Sequence, residues 1–273
     1  MSSFIYKPSA GTPINSNHPL ARGLVGAVPL NEGGGIPYMY GSQKVQSVTP
    51  LPAGVIWEQG PSGPCMVFDG ANASFLNFGD YSSLNLTTSG SIFIRANANS
   101  FSTTGLTLFT KQNYNPGTSG YSMWVPAGGS GPAQGRPLLN LGTATVSANY
   151  ECADLGPFVS RQWCSVGASW TSGIAPIVSQ AGRNYYTAGA TAPTVGTATG
   201  WNFFLGGNNV VAGNWLGQID FCYIWNRQIS VTEMQSLTVA PFQIYEPSSS
   251  RFYSFPSSVS SVVNYSMNMA MFA

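Results

Sequence analysis

The sequence predicts an all-β protein, an antiparallel sandwich or barrel with almost no helix. Three observations carry that prediction. Short apolar or alternating runs recur about a dozen times along the 273 residues, 32 Gly and 19 Pro punctuate them, and only one segment bears a helix-start signature. A chain of this length suits one large β domain with arms, since all-β folds reach it as single cores.

In order, residues 1 to 20 hold five Ser or Thr and three Pro and few large apolar side chains, and read as an N-terminal arm. The strand-like runs are GLVGAVPL, KVQSV, GVIWE, CMVFDG, SFLNFG, SIFIRANA, LTLFTK, YSMWV, PLLNLG, WCSVGASW, PIVSQ and NFFLGG, each bounded by turn-forming residues. The last run lies within WLGQIDFCYIWNRQISVTE and lacks a polar side. One register gives Ile219, Phe221, Tyr223 and Trp225, the other Asp220, Cys222 and Ile224, so both faces require cover. Cys222 and Ile224 are expected to face the core, and the aromatic face to be covered by the second layer of the sandwich on one side or by an arm or a neighbouring subunit. Ser230-Val-Thr-Glu233 is a capping box and predicts a helix of about two turns, through Leu237. Residues 241 to 273 are broken by Pro247 and Pro256, end in Met-rich sequence and read as a separate tail. The body is residues 21 to 240.

Charge narrows the functional classes. Asp, Glu, Lys and Arg make up 7% of the chain, against roughly 25% in soluble globular proteins. The net charge is only +1 and the basic residues are scattered, which argues against nucleic acid and anionic lipid. Residues 184 to 219 form an uncharged stretch of 36, and the last 22 positions carry no charge. Such a surface has little charge repulsion against self-association. It suits a member of a packed homo-oligomer, with a trimer as a natural closed form. A secreted protein of ordinary low charge is the alternative on composition alone. No apolar run approaches the ~20 residues of a spanning helix. MSSFIYKPSAGTP lacks the apolar core of a secretion signal, so synthesis in a cytosol is expected, with Cys65, Cys152, Cys164 and Cys222 as free thiols.

Five stretches, NHPLARGLVGAVPLNEGGG, CMVFDGANASFLNFGDYSSLNL, RQWCSVGASW, NFFLGG and GQIDFCYIWNRQISVTEMQSL, resemble in that order the landmarks of laminin-G-like jelly rolls of the concanavalin A-like superfamily. The match runs over roughly residues 17 to 245. The early His-Pro-Leu-Ala-x-Gly-Leu-Val and the Pro-Phe-Gln-Ile after the helix are similar to small stand-alone members encoded by tailed bacteriophages. The resemblance implies a two-sheet antiparallel jelly-roll sandwich with extended arms. It also implies a virion structural protein, made in the host cytoplasm, with copies of itself and the major capsid, portal or tail proteins as partners. The family usually has two acidic residues where this chain has Asp220 and Phe221, and the Trp of its central strand is missing from SIFIRANA, which argues against calcium or carbohydrate binding.

The side-chain chemistry points the same way. No Glu-x-Asp-x-Glu run is present, and Glu151 and Asp154, the one close acidic pair, read as a solvated turn. The single histidine, His18, precedes Pro19 in the arm and reads as an anchor; Asp69 and Asp220 read as turn acceptors rather than Ca²⁺ ligands. No catalytic residue, metal or cofactor is expected, and the chain reads as a non-enzyme. The expected role is capsid decoration or cement, or part of a fibre or spike. The expected assembly interface comprises Phe221, Tyr223, Trp225, Phe242, Tyr245, Phe252, Tyr253, Phe255, Met267, Met269, Met271 and Phe272. The alternative is a lectin-like module of a tail fibre recognising host glycan, with Tyr121, Trp124, Tyr185, Tyr186 and Trp201 as the stacking aromatics.

Overall fold

A computed structural model describes residues 6–41, 45–47, 51–101, 105–112, 119–126, 135–143, 145, 147–151, 157–186, 191–208 and 213–245. The strands are β1 Leu24–Val28, β2 Tyr38–Gly41, β3 Val45–Ser47, β4 Val55–Gly60, β5 Gly63–Asp69, β6 Leu76–Asn77, β7 Ser89–Ala98 and β8 Leu106–Gln112. They continue with β9 Gly120–Val125, β10 Leu138–Gly142, β11 Ser147–Glu151, β12 Trp163–Thr171, β13 Ile177–Gln180, β14 Arg183–Tyr186, β15 Phe204–Leu205 and β16 Leu216–Trp225, and one helix, α1, spans Val231–Val239. The protein is an all-β sandwich of two antiparallel sheets. The larger runs β14-β13-β12-β7-β16-β1-β2-β3, with β5 pairing the first half of β16 and β4 pairing β5; the smaller runs β11-β10-β9-β8-β15-β6.

Alternation builds the core between the sheets. Ile92, Ile94 and Ala96 of β7, Val166, Ala168 and Trp170 of β12, and Cys222 and Ile224 of β16 meet Phe109, Tyr121, Met123, Leu139 and Leu141 of the smaller sheet. The outer face of the larger sheet carries a second core, in which Ala27, Phe93, Phe221, Tyr223 and Trp225 are covered by Leu20, Ile229, Met234, Leu237, Phe242, Ile244 and Tyr245. Strand β16 is therefore buried on both sides, which explains its lack of a polar register.

Four sequence expectations are corrected. Ile219 does not share a face with Phe221: the β16–β7 register steps from Ile219↔Ala96 to Phe221↔Arg95, leaving Asp220 as the extra residue of a bulge. The bulge turns Ile219 into the inter-sheet core and the following aromatics outward. The helix runs to Val239 rather than Leu237, from a complete Ser230–Glu233 capping box. Residues 241 to 245 belong to the body, because Phe242, Ile244 and Tyr245 are buried in the second core. Three strands were also missed. Strands β2 and β11 are short and carry Tyr, Gly and Asn rather than an apolar run. Strand β14 follows a two-residue turn at Ala181 (φ 51°) and Gly182 (φ 77°), a left-handed pair that closes a tight hairpin with β13.

Candidate functional site

The aromatic face is interior. Phe221 stacks on Tyr223 (centroids 4.9 Å) and Phe93 (6.2 Å) and meets Phe242 edge-on at 5.4 Å; Trp225 donates its indole N–H to Leu20 O at 2.6 Å. Phe221, Tyr223, Trp225, Phe242 and Tyr245 are covered by this chain's own helix and arms, so the expectation that they present an assembly interface is corrected. Phe252, Tyr253, Phe255, Met267, Met269, Met271 and Phe272 lie outside the described residues.

The N-terminal arm meets the end of the body on that face. Ile14 bridges to Tyr245, and Asn15 N donates to Ile244 O at 2.9 Å. His18 caps a short 3-10 turn, its Nδ1 accepting from Leu20 N at 3.2 Å, a local bond rather than the anchor of the arm expected of it. Farther out, Lys7 N donates to Ser62 O, and the Lys7 side chain runs into the body. Its Nζ lies 2.9 Å from Asp220 Oδ1, with both side chains almost fully buried, and Arg95 Nη1 sits 3.6 Å from Asp220 Oδ2. Burial lowers the Lys7 pKa, opposed by the Asp220 carboxylate. Asp220 is thus a buried ion-pair partner at a bulge and not a turn acceptor. The bulge supplies the extra position at which a carboxylate enters an otherwise apolar strand. Asp69 is the turn acceptor it was read as, taking Ala71 N on Oδ1 at 2.9 Å.

The outer face of the smaller sheet is different in kind. Directly opposed residues form one row across all six strands: Asn149, Asn140, Ser122, Thr110, Phe204 and Asn77. Gln112 links it laterally, accepting from Ser122 Oγ at 2.8 Å and donating to Asn140 Oδ1 at 2.5 Å, while Asn140 Nδ2 donates to Asn149 Oδ1. Ser122 and Thr110 are buried, Asn140 is half-buried, and Asn149 and Asn77 are exposed. Trp124 shares this face, two residues along β9 from Ser122, half-buried against Gly105; a β-carbon at Gly105 would come within 2.7 Å of its ring.

The other stacking candidates are not gathered around it. Tyr121 is a core residue whose hydroxyl donates to Leu84 O at 2.9 Å, which removes it from any sugar platform. Tyr185 and Tyr186 belong to β14 at the edge of the other sheet. Trp201 is half-buried, and its carbonyl accepts from the buried Lys111 Nζ at 2.7 Å. Lys111 also pairs with Asp80 at 2.6 Å, and Gly200 N donates to the same carboxylate, so this ion pair fixes the loop carrying Trp201. Sequence reasoning missed the amide row, because its members are isolated polar residues in separate runs that only the register brings into line.

Glu151 ends β11, and Asp154 lies outside the described residues, as does Cys152. Cys65, Cys164 and Cys222 are unbridged, and burial pushes the Cys65 and Cys164 thiols up to about 11. Among the described residues no three His, Cys, Asp or Glu side chains cluster, and no helix is long and apolar enough to cross a membrane.

No protein-family model matches the sequence, and no curated protein matches it either. Solved structures do match in fold. Trypanosoma rangeli sialidase aligns over 86% of the chain at 14% identity, with a TM-score of 0.58 for its sialic acid complex and 0.57 for that with 2,3-difluoro-KDN. The binding domain of Paraclostridial Mosquitocidal Protein 1 aligns over 82% of this chain and 53% of its own at 11% identity, with a TM-score of 0.58. The chain spans little more than a third of the sialidase, 36% to 37% of its length. These matches correct the reading of the chain as a non-enzyme. Enzymes are among its fold relatives, and a missing Glu-x-Asp-x-Glu run excludes one kind of glycosidase site rather than catalysis. At this identity the likeness carries the fold and establishes no activity.

Proposed function

We propose that the chain is a structural component of a tailed-bacteriophage virion, a laminin-G-like jelly roll that works through non-covalent contacts as a capsid decoration or as part of a fibre or spike. The observation that carries this reading is the pairing of the N-terminal arm with the last described residues of the body on one face, Ile14 with Tyr245 and Asn15 with Ile244. The last described residues are held at this point, and the last 22 positions of the sequence are uncharged but rich in Phe, Tyr, Met and Ser. A body whose last described residues, Ile244 and Tyr245, are held at one face, with its smaller sheet turned away, has the polarity of a particle-attached module. The low charge and the sequence landmarks shared with phage-encoded members support the same reading. Antibodies raised against the recombinant protein, applied to particles purified from its source, test it by immunogold microscopy. Regular labelling of heads, fibres or tails is expected; its absence from intact and from disrupted particles would sink the reading.

A second reading is favoured by the amide row. Side-chain amides and hydroxyls in a line beside a half-buried Trp124 are groups that hydrogen-bond and stack on sugars, so the module would recognise host glycan through its smaller sheet. Binding on a glycan array that is lost in Trp124→Ala and Asn149→Ala would establish it. Unchanged binding in both variants would remove this face from consideration.

A further inference from the structure

The Lys7 ammonium sits among four oxygens. Its Nζ donates to Leu30 O at 3.0 Å, to Pro64 O and to Asp220 O at 2.6 Å, and lies 2.9 Å from Asp220 Oδ1. These come from three separate places: the residue two past β1, the second position of β5 and the bulge of β16. We propose that this cage is a cation site whose resident cation is Lys7 itself, and that with the Lys7 side chain removed it binds a free hard divalent cation, Ca²⁺. An ammonium has three hydrogens to offer and the cage has four oxygens, so the match is incomplete for a lysine and has no such limit for a spherical ion. Backbone carbonyls and one carboxylate are also the ligand chemistry that Ca²⁺ takes.

Geometry and charge agree. Ca²⁺ bonds oxygen at about 2.3 to 2.6 Å, so Leu30 O and Asp220 Oδ1, at 3.0 and 2.9 Å from the ammonium, need to move in by only a few tenths of an ångström, while Asp220 O at 2.6 Å is already in range. The volume vacated by the lysine stem admits the waters that complete six to eight ligands. The cage is held by the pairing of β5 with β16, in which Ile219, next to Asp220, opposes Met66. The charged groups around it are Asp220, Arg95 at 3.6 Å from Asp220 Oδ2, and Glu32, which acts electrostatically on Lys7. Two carboxylates against one guanidinium leave a net negative charge for the ion to neutralise. In the intact chain the tethered ammonium is present at high effective concentration, and it couples the N-terminal arm to the body where a metal would couple nothing to it.

The test uses the full chain. Lys7→Ala is expected to melt below wild type in NaCl and to regain stability as CaCl₂ is added at matched ionic strength, its Tm rising with the logarithm of Ca²⁺ as single-site linkage requires; wild type is expected not to respond. The double variant Lys7→Ala/Asp220→Asn is expected to lose the response. Should Lys7→Ala fail to fold in NaCl, refolding is repeated in CaCl₂, where recovery of the β circular dichroism spectrum supports the proposal and failure overturns it. An unresponsive Lys7→Ala, an equal response in wild type, or a response that survives in the double variant would each overturn it.

Discussion

Phe221→Ala separates an internal second core from an assembly surface. Phe221 is fully buried and touches three rings, Phe93, Tyr223 and Phe242, at centroid distances of 6.2, 4.9 and 5.4 Å. Truncating a buried Phe costs about 3 to 5 kcal/mol, combining lost transfer energy with the cavity left behind. The upper half of that range is expected, because a sheet on one side and a capped helix on the other limit collapse, and ring pairs add about 0.5 to 1.5 kcal/mol each. For a domain of this size a loss of about 4 kcal/mol lowers Tm by roughly 8 to 16 °C. Urea unfolding followed by far-UV circular dichroism at low protein concentration measures it. If Phe221 instead lay on a face that only a second subunit covers, the isolated subunit would change by no more than about 0.5 kcal/mol, as surface substitutions do. A loss that small, or one that appears only at concentrations where the protein associates, would refute the assignment.

Three further outcomes are expected. Truncation after Tyr245 should leave a folded body that no longer associates, whereas truncation after Ala240 should uncover Phe221 and Tyr223 and lower the unfolding midpoint; light scattering and circular dichroism on the two truncations distinguish these effects. Partial burial raises the Glu233 carboxyl, but the Arg227 guanidinium and the Ser230 amide outweigh it and hold the group below its usual range. Its stabilising contribution is therefore present above the unfolded value of about 4.3 and is lost as pH falls through the lower folded value, so Glu233→Gln should flatten the acid limb of a stability–pH curve and an unchanged limb would count against the pairing. Mass spectrometry after alkylation under denaturing, non-reducing conditions should find four free thiols, and two or none would contradict cytosolic synthesis.

Much of the fold was legible because its signals are local. The long apolar runs of β7, β8, β12 and β16 announce strands buried on at least one side, and Ser230 with Glu233 announces the helix start, since both halves of the capping box lie within one turn. The doubly apolar β16 even showed that a second layer had to exist. What stayed hidden depends on register. A bulge adds one residue to a strand without changing its composition, so periodicity alone set Ile219 beside Phe221 when the chain places them on opposite faces.

The same limit governs the two candidate sites. Asn140, Asn149, Ser122 and Thr110 are unremarkable polar residues in four different strands, and they form a row only because β8 to β11 pair in one register. Lys7 and Asp220 are 213 positions apart, and nothing in the N-terminal arm's composition marks its one lysine as a buried cation. Asp220 did carry a signal of its own, as an acid in an apolar strand. Burying a charge costs several kcal/mol unless it is paired, so a carboxylate at that position requires a cation from elsewhere in the chain or from solution. In a sequence with ten basic residues the demand was readable, and only the fold could say that the arm's single lysine meets it.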